Sequence, residues 1–91
     1  MKSQTEIKTL EAARIAKRLL NHWKHKFEVS ETAETLSIFM PDATVNLVPQ
    51  AELLLVSIDS NLNDLSTLER VVLEHLNRMA QQEFTATWQH S

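Results

Sequence analysis

The sequence contains no cysteine, no glycine and only two prolines. Without cysteine there can be no disulfide, no thiolate nucleophile, no iron–sulfur cluster and no sulfur-ligated zinc. That absence fits either redox compartment. A chain of this length ordinarily carries about six glycines. Loops that cradle phosphate need glycine so that backbone amides can approach the anion closely. A P-loop and a dinucleotide-binding fingerprint are therefore both excluded. So is the glycine-flanked elbow that exposes a nucleophilic serine. Turns fall to Asn, Asp, Pro and Ser. Long apolar runs are missing too: none approaches the roughly 18 residues that cross a bilayer, and Met1-Lys2-Ser3-Gln4 opens with no apolar signal region. The cytoplasm is the expected location, with no membrane partner.

What is present suits a globular protein. Of 91 residues, 43% are hydrophobic and 23% charged, which fits a single domain (1–91) with its core over about residues 4–89. The net charge of −3 hides an asymmetry: residues 1–26 hold seven Lys/Arg against two Glu, whereas residues 27–91 hold Arg70 and Arg78 against ten acids. A basic segment attracts anions, although most charge runs are solvated helix faces. Nucleic-acid recognition by stacking needs aromatics beside basic residues on one sheet face. Only Phe39 is so placed, and the basic residues lie on a helix, so nucleic acid is not an expected partner.

The spacing of apolar residues gives the order β-α-β-β-β-α-β. In Gln4–Thr9, Thr5, Ile7 and Thr9 share one strand face. Thr9 can cap a helix with Glu11 in its first turn, and Ala12, Ala16, Leu19, Leu20, Trp23 and Phe27 form its apolar stripe, ending near Trp23–Lys26. Three alternating segments follow. The first starts at Phe27-Glu28-Val29, and turns fall near Glu31–Glu34, Pro41–Ala43 and Pro49–Glu52. Ser66-Thr67-Leu68-Glu69 reads as a capping box, with Asp64 an equally good cap. The second helix carries Leu65, Leu68, Val71, Val72, Leu76 and Met79. Phe84, Ala86 and Trp88 alternate as a closing strand. The fold class is α+β, a two-layer sandwich with a mostly antiparallel sheet and both helices on one face. Phe39, Val48, Leu53 and Leu55 alternate out of phase with the core set, which points either to a homodimer through the sheet face or edge or to a heavily curved sheet.

The histidines are the candidate functional residues. His22 and His25 stand three apart, so they are neighbours on a helix and can share a metal. The spacing puts His25 opposite the apolar stripe and His22 on its flank, near Arg18. His75 falls in the middle of the apolar face of the second helix, where a neutral ring needs a backbone or Trp88 partner. A histidine-only site lacks the third and fourth ligands that zinc wants, and Glu11 is the only acid on that stripe, so weak binding is expected at most. His22, His25 and His75 are the metal candidates, and no cofactor is expected. No nucleophile, base and orienting group can be assembled, which points away from an enzyme acting alone.

Arg18-Leu19-Leu20-Asn21-His22-Trp23-Lys24-His25-Lys26-Phe27, Leu68-Glu69-Arg70-Val71-Val72, Glu74-His75-Leu76-Asn77-Arg78-Met79-Ala80 and Trp88 together resemble a small bacterial family catalogued as domain of unknown function 2218. The resemblance runs from about Thr5 to Trp88. It implies a domain that occurs alone or attached to flavin-dependent siderophore-interacting proteins, hence an iron-utilisation context and a possible flavoprotein partner. It also implies signature positions at His22, His25, Lys26, His75, Arg78, Glu83 and Trp88. The chain departs from the family pattern at Met79-Ala80-Gln81-Gln82-Glu83, which lacks a second basic residue, and within Pro41-Asp42-Ala43, which lacks a glycine. The expected function is a non-enzymatic accessory or binding domain, with a metal- or small-anion-binding module and a structural dimerisation domain as alternatives. The ligand-binding candidates are Arg18, His22, His25, Lys26, His75, Arg78 and Trp88.

Overall fold

Alternation in the first strand, β1 (Lys2–Lys8), sends Ser3, Thr5 and Ile7 inward and leaves Gln4, Glu6 and Lys8 in solvent. The computed structural model describes all 91 residues. It continues with α1 (Ala12–Trp23), β2 (Glu28–Glu31), β3 (Leu36–Met40), β4 (Ala43–Pro49), β5 (Leu53–Ser60), α2 (Ser66–Ala80) and β6 (Gln89–His90). All six strands form one sheet in the order β2-β3-β4-β5-β1-β6, and every pairing is antiparallel. The α+β sandwich is thus present. Four strands rather than three lie between the helices, because the three predicted turns separate four segments and the short one after Phe27 pairs as a strand of its own. That turn works without glycine: the Thr32 hydroxyl accepts from the N–H groups of Glu34 and Thr35.

The closing strand is shorter than the alternation predicts. Phe84, Ala86 and Trp88 are half-buried and Thr85 and Thr87 exposed, yet only Gln89 and His90 pair with β1, opposite Gln4 and Ser3. Two anchors hold residues 83–88 off the ladder. The Phe84 N–H donates to Asn77 Oδ1 at 2.9 Å, and the Phe84 and Trp88 side chains pack against the core.

Ile7, Leu36, Ile38, Val45, Leu47, Leu54, Val56 and Ile58 line the inner sheet face, and α1 covers it with Ile15, Ala16, Leu19, Leu20 and Trp23. From α2, only Val72 and Leu76 are fully buried. The helix starts differ from the expected caps. The Thr9 hydroxyl accepts the N–H of Glu11, ahead of the helix. Asp64 Oδ1 accepts the Ser66 N–H at 2.9 Å, but Glu69 does not close a capping box. Its Oε2 instead accepts from the buried Ser3 hydroxyl and meets His90 Nε2, both at 2.5 Å. A local cap has been exchanged for a tie between α2, β1 and β6. No helix is long and apolar enough to cross a membrane.

Candidate functional site

The two helices run antiparallel along a common seam, with Arg18 of α1 meeting Met79 of α2 and His22 meeting His75. Arg18 Nη1 donates to the Met79 carbonyl at 3.0 Å, a cation at the electron-rich end of α2. One turn further along α1, the rings of His22 and His75 lie 5.6 Å apart. The Trp23 ring is 4.9 Å from His75. Trp23 is almost fully buried and His22 is exposed, so His75 has one buried and one exposed aromatic neighbour on α1.

His75 is half-buried, not in the middle of the core as its place on the helix predicts. Val72 and Leu76 define the buried line of α2, and His75 lies round from them towards α1. Its partner is the backbone: Nδ1 lies 2.7 Å from the Val71 carbonyl one turn earlier, so the bond fixes the proton on Nδ1. The neutral ring therefore carries its free lone pair on Nε2. Trp23, which spacing assigns to the apolar stripe, is the aromatic neighbour of His75 in place of the expected Trp88. Trp88 instead packs half-buried on the core.

The other candidates spread around this seam. His25 and Lys26 sit exposed in the turn after α1, with Lys26 Nζ 5.5 Å above the Phe27 ring. Arg78 is exposed in the last turn of α2. Of the three metal candidates, His22 and His75 come together. No three His, Asp or Glu side chains converge as a metal-binding group. Glu83 lies elsewhere, on the wall of a cleft of about 550 Å³ between β1 and residues 83–89.

The outer sheet face carries Phe39, Val48, Leu53 and Leu55 on its flanks. Phe39 alone is well exposed, at 42%; the other three are half-buried. A row of uncharged polar residues divides them, running through Ser30, Ser37, Asn46, Ser57, Gln4 and Gln89 across all six strands. Within that row the Ser37 hydroxyl donates to Asn46 Oδ1 at 2.7 Å.

Comparison with known proteins agrees with this architecture. Residues 4–89 match the family described as "Uncharacterized protein conserved in bacteria (DUF2218)", and the chain belongs to that family. The NMR structure of PA4090 from Pseudomonas aeruginosa is 37% identical to it. That match covers 97% of this chain and 94% of the other, with a TM-score of 0.81. No curated protein matches the chain. Neither the family description nor the name of the solved relative specifies an activity.

Proposed function

We propose that this protein is a non-catalytic accessory domain that binds a small anionic ligand at the helix seam, around His22 and His75. The observation that carries this reading is the pairing of an exposed histidine with a half-buried one whose Nδ1 is already committed to Val71. Such a ring is oriented before any ligand arrives, and its free Nε2 can accept when neutral or donate when protonated. Arg18, bonded to the Met79 carbonyl on the same seam, supplies a cation of the sign an anion needs. The siderophore-iron context implied by the family resemblance gives the ligand a chemical class: a polycarboxylate, free or carrying ferric iron.

The test is a titration of 15N-labelled protein with citrate and with ferric citrate, followed by the His and Trp ring resonances. Saturable shifts at His22, His75 and Trp23, lost in His75→Gln and weakened in His22→Gln, are expected. A flat titration with both ligands removes the proposal. The paired nitrogens also favour a second reading, a transition-metal ion held by His22 and His75, which calorimetry with zinc alone distinguishes. The dimerisation reading rests on Phe39 and the outer face, and sedimentation of wild type against Phe39→Lys decides it.

A further inference from the structure

The cleft beside β1 lies away from the helix seam and does not depend on it. Lys2 and Ser91 exchange two backbone hydrogen bonds of 2.9 Å, while Ser60 N–H reaches Met1 O and Thr9 N–H reaches Glu52 O on the opposite side. Even-numbered residues of β1 therefore direct their peptide groups towards β6, and odd-numbered ones towards β5 and its flanks. The β6 register pairs Ser3 with His90 and Gln4 with Gln89. Continued by two and four residues, it would put Thr87 opposite Glu6 and Thr85 opposite Lys8. Neither pair is bonded. The ladder stops, and the cleft opens where it should have continued, with all four of these residues on its walls.

This gap does not close by a small adjustment. Bringing Thr85 and Thr87 onto β1 would draw Phe84 and Trp88 off the core and strain the bond from Phe84 to Asn77. The result is a strand edge with unpaired N–H and C=O groups at Glu6 and Lys8, which is the template that strand addition uses. The opening lies within the roughly 300–1,000 Å³ range of ligand clefts. Its side chains select an occupant. Leu55 and Phe84 supply apolar contact. Glu6, Lys8 and Glu83 are exposed and belong to no ion pair in the protein.

We propose that this gap accepts a short extended peptide as an added strand antiparallel to β1, with an acidic residue opposite Lys8 and, two residues on, a basic residue opposite Glu6. A second copy of β1 has the matching order Glu6-Ile7-Lys8, but its own residues 83–88 stand on the edge it would have to present. A free peptide carries no such obstruction.

The probe is a blocked heptapeptide, acetyl-Ser-Val-Glu-Val-Lys-Val-Ser-amide, titrated into 15N-labelled full-length protein. The expected result is saturable shifts centred on the Glu6, Lys8, Thr85 and Thr87 amides. Methylating the peptide nitrogens of its Glu and Lys should weaken binding at least about tenfold, since those N–H groups make the ladder bonds. Exchanging its Glu and Lys should weaken it about fivefold, and the double variant Glu6→Lys with Lys8→Glu should reverse that preference. Three results overturn the proposal: no saturable shift at millimolar peptide; Glu6 and Lys8 amides already protected in the free protein by contact with Thr87 and Thr85; or protection of those amides that grows with protein concentration alone.

Discussion

The two helices do different work, although each carries an apolar stripe. In α1, Ala12, Ile15, Ala16, Leu19, Leu20 and Trp23 are all buried; in the longer α2 only Val72 and Leu76 are. Two alanines on the inner line of α1 let its backbone settle close over β3, β4 and β5. The second helix packs along the flank of the first, so Leu68, Val71, His75 and Met79 remain half-open. A helix that fills the core fixes the fold, and its neighbour at the rim can present side chains to a ligand. The His22–His75 pair lies where the two regimes meet.

The largest effect should come from emptying the α1 side of that comparison. Leu19→Ala, at a fully buried position, is expected to cost about 3–4 kcal/mol, through lost transfer energy and a residual cavity. Val71→Ala on the half-open side should cost about 1 kcal/mol or less, because solvent and neighbours can fill the space. Urea unfolding of both variants measures the contrast, and equal losses would mean that α2 is as much a core helix as α1.

The next effect concerns the end of α2. Gln81 is the one residue with positive φ, at 57°. It closes the helix with its N–H on the Arg78 carbonyl while the Gln82 N–H reaches the Asn77 carbonyl, a Schellman stop that ordinarily employs glycine. Gln81→Gly should therefore stabilise the protein by about 1 kcal/mol, since a side chain disfavours the left-handed region. A fall in the urea midpoint would show that the Gln81 side chain has a role beyond its backbone.

The smallest effect lies at the start of α2. The Ser66 backbone N–H, helped by the Ser66 hydroxyl and weakly by the charge of His90, holds the Asp64 carboxyl below its ordinary pKa. The unfolded chain then binds more protons than the folded one as the solution is acidified, so stability rises with pH across that window. The Asp64 contribution is present above about pH 4 and lost as pH falls through the depressed folded value. Denaturant midpoints between pH 6 and pH 2 should fall slightly less steeply in Asp64→Ala than in wild type. Parallel curves would remove Asp64 from the acid limb.

Much of the layout follows from the order of residues alone. Period-two runs place Ile7, Leu36, Ile38, Val45, Leu47, Leu54, Val56 and Ile58 on one sheet face, and period-three-to-four spacing defines α1 and α2, because which face a side chain takes is a local property of the backbone. The absence of glycine excludes phosphate loops by the same local logic. Other features depend on contacts between distant segments. Glu69 leaves its capping box because Ser3 and His90 offer partners that no helix-end rule contains. Residues 84–88 keep strand alternation but lose the ladder, because Asn77 and the core hold Phe84 more firmly than β1 does. Spacing places His22 on a flank and His75 in the middle of the apolar face, but only the lateral offset of α2 against α1 leaves His75 half-buried and brings the two rings together. That offset is set by how two whole helices pack, which no window of sequence contains.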